Sequence, residues 1–187
     1  MKIGLLFGSF NPVHIGHLAI ANYMAEFTDL QQVWLVVSPH NPLKNKKDLA
    51  DGKKRLAQVK KAVGKNPKIK VSDIEFALPQ PNYTIHTLEV FKKKFPKYNF
   101  VLLMGSDNLN LFHKWKDYKR ILNSYKIYVY PRFSPLKGLP AGKAGGLRGI
   151  FKNHSHIKTV NAPRIDISST FIREAMKKGK DVRYFLA

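Results

Sequence analysis

The sequence predicts an α/β fold, a doubly wound and mostly parallel sheet with helices on both of its faces. Short apolar runs typical of buried strands alternate along the chain with segments that have the periodicity of amphipathic helices. A glycine-bearing turn joins the first strand to the first helix, and several polar clusters directly follow strands. Since strands that alternate with helices form parallel sheets, this order indicates a Rossmann-like arrangement.

Each predicted element rests on a local pattern and on the residues that interrupt it. Apolar runs predict strands at 2–7, 32–37, 69–74, 99–104, 126–130 and 157–160. Helical spacing of apolar side chains predicts helices at 18–27, 53–63, 84–95 and 169–178, with a broken helix over 107–122. The segment 131–149 is rich in proline, glycine and basic residues, which predicts a long loop.

Composition limits the class of protein. A chain of 187 residues, 44% of them hydrophobic, suits one domain, residues 1–187, with a full core. There is no run of about eighteen apolar residues that would predict a membrane span, and the N-terminus lacks the pattern of a secretory signal. The chain contains no cysteine, which excludes disulfides and thiolate metal sites. These features predict a cytoplasmic protein and leave a homo-oligomer open.

The formal net charge of +21 is unusual for a chain of this size. Its lysines cluster mostly on predicted exposed helix faces, including Lys53-Lys54-Arg55 and Lys92-Lys93-Lys94. One interpretation is a field that attracts anionic substrates or nucleic acid, and the other is a solvated surface that maintains solubility. Because no helix-turn-helix, RNA-recognition or zinc signature is present, a basic nucleic-acid-binding module is a remote alternative.

The turn at residues 8–17, Gly-Ser-Phe-Asn-Pro-Val-His-Ile-Gly-His, stands between the first strand and the first helix. Glycines there let backbone N–H groups approach a phosphate, and the helix N-terminus adds partial positive charge. His17 is placed to donate to a phosphate oxygen as charge develops in phosphoryl transfer, while His14 holds the triphosphate. A metal pair fits less well, since Mg²⁺ prefers oxygen ligands, and a structural helix cap is the remaining alternative.

A second polar cluster, Ile167-Ser168-Ser169-Thr170-Phe171-Ile172-Arg173, opens the last predicted helix. Hydroxyls at a helix start either cap the free N–H groups or accept a phosphate at that positive end. Arg173, about one turn in, would place a planar guanidinium against the same anion, although a surface arginine is the alternative. We expect the two helix N-termini to face one polyphosphate.

Shorter features complete the set. Gly105 and Asp107 follow a buried strand, where Asp107 can accept from ribose hydroxyls or act as a helix N-cap. The segment Asn82-Tyr83-Thr84 can present backbone groups and a hydroxyl to a small ligand, or simply start a helix. Trp115 can stack on an aromatic ring, although a core position is the alternative. Lys44, in a proline-flanked loop, can meet a phosphate or stay solvated.

Together these residues resemble the nucleotidyltransferase superfamily, which is marked by a Gly-x-Phe-x-Pro-x-His-x-Gly-His turn and an Ile-Ser-Ser-Thr-x-Ile-Arg helix start. Within it, the chain is similar to the bacterial nicotinate-nucleotide adenylyltransferases. The narrower resemblance rests on the segments 39–44, 83–88, 105–107 with Trp115, and 183–186. Asn11 and His86 stand where many members carry an acid.

The resemblance implies transfer of the adenylyl group of ATP to nicotinate mononucleotide, which yields deamido-NAD and pyrophosphate in NAD biosynthesis. It also implies Mg²⁺ as a cofactor that binds with ATP. Sibling enzymes that use nicotinamide mononucleotide or phosphopantetheine are the nearest alternatives. The implied catalytic residues are His17, His14 and Lys44. The implied ATP-binding residues are Gly8, Ser9, Phe10, His14, Gly16, His17, Gly105, Asp107, Ser168, Ser169 and Arg173. The implied mononucleotide-binding residues are Asn11, Lys44, Asn82, Tyr83, Thr84 and Trp115.

Overall fold

The computed structural model describes residues 1–42, 49–132, 151 and 154–187. Within them the strands are β1 (Lys2–Gly8), β2 (Gln32–Val37), β3 (Ile69–Ser72), β4 (Asn99–Gly105), β5 (Lys126–Tyr130) and β6 (Ile157–Thr159). The α-helices are α1 (Ile15–Phe27), α2 (Gly52–Val63), α3 (Thr84–Lys94), α4 (Ser106–Asn110), α5 (Tyr118–Ser124) and α6 (Ser169–Lys177). Short 3₁₀ segments cover Ile74–Ala77, Phe112–Lys114 and Arg183–Phe185.

The strands form one sheet in the order β3-β2-β1-β4-β5-β6, and every neighbouring pair is parallel. The predicted doubly wound α/β fold is therefore confirmed. The chain winds from β1 to one edge of the sheet and then returns to β4, so the winding direction reverses between β1 and β4. In open parallel sheets, ligands bind at the carboxyl ends of the strands beside such a reversal.

The strands are apolar because helices cover both faces of the sheet. Alternate side chains of β1 point to opposite layers: Leu6 packs in the cluster that contains α1 and α2 side chains, and Leu5 packs in the cluster of α3, α4 and α5. Helical spacing accounts for the covering helices, as in α3, where Ile85, Leu88 and Phe91 share one buried face. The predicted helices on both faces are thus present.

Some predicted boundaries and exposures are wrong. The third strand ends at Ser72 rather than at residue 74, and Ile74–Ala77 forms a 3₁₀ turn. The cluster Lys53-Lys54-Arg55 does not lie wholly on an exposed helix face, since the Arg55 side chain is buried. Most of the loop predicted at 131–149 lies outside the described residues.

In the described parts of the chain, no helix is both long and apolar enough to cross a bilayer. The single domain over 1–187, the cytoplasmic location and the association of copies stay predictions.

Candidate active site

A cavity of about 570 Å³ opens at the carboxyl ends of the central strands. Its lining includes Gly8 at the end of β1, Ser38 just after β2, Asp107 just after β4 and Tyr130 at the end of β5. Parallel strands bring these ends to one edge of the sheet, beside the reversal between β1 and β4. The starts of α3 and α6 contribute Tyr83, Thr84, Ser168, Ser169 and Thr170.

The turn after β1 presents unpaired backbone donors at this cavity. Ser9 and Phe10 both line it, and within the described residues neither of their N–H groups donates to a protein acceptor. Phe10 is buried and has a φ of 44°, a left-handed conformation that is uncommon for a bulky residue. A bulky residue keeps such a backbone conformation only where neighbouring contacts stabilise it. The surrounding structure therefore stabilises the conformation of this turn.

The start of α6 lies directly against this turn. The Ser169 hydroxyl donates to the Pro12 carbonyl at 2.9 Å, and Arg173 Nη1 donates to the Asn11 carbonyl at 2.7 Å. Ser168 is the N-cap, because its hydroxyl accepts from the Phe171 N–H at 3.1 Å. The two segments of chain therefore meet at one cavity, as the sequence predicts.

His17 reaches the cavity with a defined orientation. Its Nδ1 accepts a hydrogen bond from the His14 N–H at 3.3 Å, and its ring lies edge-on to Phe10 with the centroids 4.9 Å apart. A ring nitrogen that accepts from a backbone N–H carries no proton, so in the neutral imidazole the proton is on Nε2. His17 is thereby a hydrogen-bond donor at Nε2.

His14 is buried behind His17 and does not line the described cavity. The two rings stack with centroids 3.7 Å apart, and His14 is only 2% exposed. Neither of its ring nitrogens has a hydrogen-bond partner in the described structure. Burial, with a smaller contribution from the charge of Arg132, lowers the pKa of His14 from 6.5 to about 4. The imidazole is therefore neutral near pH 7.

A second wall comes from the start of α3 and from Trp115. Tyr83 is the N-cap of α3, no side chain caps the helix, and Tyr83, Thr84 and Trp115 all line the cavity. The Lys116 ammonium lies 4.6 Å from the centroid of the Tyr83 ring, within the range of a cation–π contact. Trp115 also packs edge-on against Phe112, as the core interpretation expects, and its stacking on the ring of a ligand stays a prediction.

Glu75, which the sequence does not indicate, lies next to the start of α3. It is 1% exposed, it borders the cavity, and its Oε1 accepts from the Thr87 hydroxyl at 2.8 Å. Burial raises the pKa of Glu75 above its usual value, although hydrogen bonds from Ser38 and Thr87 oppose this. Asn82 donates to the Glu75 backbone carbonyl at 3.1 Å and so ties the segment before α3 to this acid.

Asp107 stands on the α4 side of the cavity. The N-cap alternative for Asp107 is wrong, because α4 begins at Ser106 and its N-cap is Gly105. Asp107 Oδ2 lies 3.9 Å from Nη1 of Arg132, a second cavity residue that the sequence did not indicate. A Cβ at Gly105 would collide with Asp107 Oδ1, so glycine is needed for this carboxylate to sit where it does.

Comparison with known proteins places this geometry in a family. A family model described as cytidylyltransferase-like matches residues 5–175. The chain belongs to the cytidylyltransferase-like family. A Flavobacterium psychrophilum protein named "Probable nicotinate-nucleotide adenylyltransferase" is 54% identical over 186 residues, which cover 100% of this chain and 92% of the relative. A Flavobacterium johnsoniae protein of the same name is 52% identical with the same coverage.

A solved structure shares the fold. Plasmodium falciparum nicotinic acid mononucleotide adenylyltransferase complexed with NaAD superposes with a TM-score of 0.77 at 19% identity. The match covers 97% of this chain and 86% of that chain. At this level of identity, the likeness supports the family's fold and not a shared substrate.

Some of the residues that the sequence predicts to bind substrate do not line the cavity of this protein. The described lining contains Gly8, Ser9, Phe10, His17, Asn82, Tyr83, Thr84, Asp107, Trp115, Ser168 and Ser169. The lining omits His14, Gly16, Gly105, Asn11 and Arg173. Asn11 instead accepts from the Ala50 N–H at 3.2 Å, Gly16 packs against the His14 ring, and Arg173 holds the turn through Asn11. Lys44 lies outside the described residues. The binding and catalytic roles of all these residues stay predictions.

In this family member, the described residues contain no group of three or more His, Cys, Asp or Glu side chains that could hold a metal ion. The carboxylates that line the cavity are Asp107 and Glu75, and Asp107 Oδ1 is buried without a hydrogen-bond partner in the described structure. Mg²⁺ in nucleotide sites keeps several waters and binds mainly through substrate phosphates, with one or two carboxylates. The two carboxylates therefore fit a Mg²⁺ ion that binds mainly through the phosphates of a nucleotide. They do not fit an ion that is coordinated mainly by protein side chains.

Proposed function

We infer that the protein is a nicotinate-nucleotide adenylyltransferase, which transfers the adenylyl group of ATP to nicotinate mononucleotide and releases pyrophosphate. One observation carries this proposal: the turn at residues 8–10 and the start of α6 meet at a single cavity that the start of α3 also lines. The shared name of the curated relatives, at 54% and 52% identity over full-length matches, supports the same conclusion.

The triphosphate of ATP binds where the two segments meet. The Ser9 and Phe10 N–H groups face an anion from the turn, and the first N–H groups of α6, at Ser169 and Thr170, face it from the helix end. Backbone N–H groups at a helix N-terminus combine hydrogen-bond donation with partial positive charge, and both favour phosphate. The ribose of ATP lies towards Asp107, whose carboxylate accepts from hydroxyls.

The mononucleotide binds at the start of α3, with its pyridine ring against Trp115. The first-turn N–H groups of Thr84 and Ile85 have no helical acceptor and no side-chain cap, and Thr84 lines the cavity, so this end of α3 is available to the nicotinate carboxylate. A carboxylate gains from the positive helix end, whereas a neutral amide does not. Glu75 is the acid near this position, and its raised pKa favours the uncharged form, which limits repulsion of the carboxylate.

In the reaction, a phosphate oxygen of the mononucleotide attacks the α-phosphorus of ATP. A bond forms between that oxygen and the α-phosphorus, the bond from the α-phosphorus to the bridging oxygen breaks, and pyrophosphate leaves with the electron pair. Negative charge shifts towards the leaving group, and His17 Nε2–H donates to the phosphate oxygens as this charge develops. No covalent enzyme intermediate is required, because positioning and charge stabilisation suffice.

Mg²⁺ is proposed as the cofactor and supplies charge neutralisation on the triphosphate. Of the two carboxylates that line the cavity, Asp107 is the one that would contact a water of the ion, since Glu75 is buried and its raised pKa favours the uncharged form. The N–H groups of the turn and of α6 bind the phosphate oxygens that remain.

The test compares acceptors in one assay of pyrophosphate release. Purified protein with ATP and Mg²⁺ is given nicotinate mononucleotide, nicotinamide mononucleotide or phosphopantetheine. We expect kcat/KM for nicotinate mononucleotide to exceed kcat/KM for either of the other two acceptors by at least about tenfold. This factor corresponds to the free energy of one charge-assisted hydrogen bond. Preference for the amide or for phosphopantetheine would overturn the choice of acceptor.

A matched pair of variants examines the proposed carboxylate contact. Thr84→Pro removes one N–H at the first helical position, where proline is tolerated, and the extended Tyr83 backbone (φ −93°, ψ 132°) suits a residue that precedes proline. Thr84→Ala removes the hydroxyl and keeps the N–H. The preference for the nicotinate form should fall roughly tenfold in Thr84→Pro and persist in Thr84→Ala. Equal preferences in the two variants would refute the contact.

A further inference from the structure

Arg55 is a charged residue in an unusual place. Arg55 lies in the first turns of α2, and its side chain is 1% exposed. It is one of the largest fully buried side chains among the described residues. Buried charges are normally paired with an opposite charge. Among the described residues, however, no carboxylate lies within ion-pair distance of Arg55. Asp51 attracts the Arg55 charge without forming an ion pair, so most of the stabilisation must come from other groups.

Backbone carbonyl groups provide that stabilisation, and they come from three separate stretches of chain. Arg55 Nη1 donates to the carbonyls of Ser9 and, at 2.9 Å, of Ser38. Nη2 donates to the Pro39 carbonyl and Nε to the Ala50 carbonyl, each at 2.9 Å. One planar guanidinium therefore joins the turn after β1, the end of β2 and the segment that leads into α2.

The contact with Ser9 bears directly on the turn at the cavity. In a trans peptide the C=O of one residue and the N–H of the next point in opposite directions, and the Ser9–Phe10 bond is trans. The Ser9 carbonyl points to Arg55, so the Phe10 N–H points away from it. That N–H has no acceptor within the described part of the chain, and Phe10 lines the cavity.

The left-handed Phe10 backbone needs such an anchor. A φ of 44° for phenylalanine is held only if neighbouring contacts exclude the relaxed conformations. Arg55 holds the peptide that precedes Phe10. Arg55 also binds the carbonyl of Ala50, whose own N–H donates to Asn11 Oδ1 at 3.2 Å on the far side of Phe10. The strained residue is thus held on both sides.

We propose that Arg55 is a positioning residue of the ATP site, which acts through the Ser9 carbonyl to hold the Phe10 N–H towards the triphosphate. The proposal rests on the proposed function. In this proposal Arg55 does not contact ATP. The position requires a planar guanidinium with several donors, because it binds carbonyl groups from three stretches of the chain. A lysine there keeps the charge but cannot bind carbonyls in three directions with a planar fork.

The experiment compares three proteins: wild type, Arg55→Lys and Val59→Ala. Val59 is one turn further along the same helix and fully buried in the core, and its apolar side chain forms no hydrogen bond with the turn. Its truncation supplies a destabilised control. Thermal unfolding identifies a temperature at which all three are folded, and calorimetric titration with ATP and Mg²⁺, without acceptor, then measures ATP affinity.

We expect Arg55→Lys to bind ATP roughly tenfold more weakly and to lose kcat by at least as much, in line with the loss of one charge-assisted contact. Val59→Ala should keep ATP affinity and kcat within about twofold despite its lower Tm. If Arg55→Lys does not fold, Arg55→Gln, which retains one amide donor for the Ser9 carbonyl, takes its place. An Arg55 variant that matches Val59→Ala in affinity and kcat would overturn the proposal.

Failure of the proposed function gives a different result. A wild-type protein that binds ATP but adenylylates none of the acceptors would refute the function, while the ATP titrations of the variants would still decide the role of Arg55.

Discussion

Acidification should destabilise this protein through His14, and one substitution isolates the effect. Burial lowers the pKa of His14 from 6.5 to about 4, so the folded protein keeps a neutral imidazole where the unfolded chain binds a proton. Between pH values of about 4 and 6.5, the unfolded state binds more protons than the folded state. The free energy of unfolding therefore falls as the pH falls. The contribution of His14 is complete above about pH 6.5 and is lost by about pH 4.

The size of the effect follows from the same pKa values. Each pKa unit corresponds to about 1.4 kcal/mol, so a fall from 6.5 to about 4 amounts to about 3 kcal/mol when the loss is complete. At about pH 4.5, where the folded imidazole has only begun to titrate, we expect a loss of about 2 kcal/mol relative to neutral pH.

Urea denaturation at about pH 7 and about pH 4.5 measures this loss. Other groups titrate over the same range, so the informative quantity is the difference between wild type and His14→Phe, which keeps a ring and removes the titration. Wild type should lose about 2 kcal/mol more than the variant. His113→Gln, at an exposed position, serves as the control and should behave as wild type. Equal losses in wild type and His14→Phe would show that His14 is not buried in its neutral form.

Three further substitutions probe the cavity. His17→Ala should lower kcat roughly a hundredfold with a smaller change in ATP affinity, because its contact matters most as charge develops; steady-state kinetics and calorimetry separate the two quantities. Glu75→Gln should leave the KM for nicotinate mononucleotide within about twofold, because the buried acid is replaced by a neutral isostere; a large rise would indicate that its charge is used. Gly105→Ala should raise the KM for ATP, since the new Cβ displaces Asp107, and an unchanged KM would exclude Asp107 from ATP binding.

The fold follows closely from local patterns. The boundaries of β2 and β5 agree with the apolar runs that predict them, and the starts of α3 and α6 agree with the predicted helix starts at Thr84 and Ser169. These segments combine strong periodicity with clear interruptions on either side. The predicted third strand is two residues too long, because Ile74 continues the apolar alternation while the backbone turns into a 3₁₀ segment.

The missed residues depend on contacts that no local pattern contains. Arg55 looks like its neighbours Lys53 and Lys54, and only the carbonyls of Ser9, Ser38, Pro39 and Ala50 decide that it is buried. Arg132 lies just after β5, where the carboxyl end of a strand meets the cavity, but nothing in the neighbouring residues of the sequence singles it out. The spacing of His14 from His17 predicts a place at the phosphates, but in the fold the His14 ring is buried and lies close to Gly16.

The bonds from Ser169 to Pro12 and from Arg173 to Asn11 span 157 and 162 positions along the chain. On the ribosome, the first strand and its loop emerge early, but their partner is translated only near the end. A nascent chain interrupted before Ser168 therefore lacks the wall of the cavity that Ser168, Ser169 and Thr170 form, and the cavity is completed only when the last helix docks.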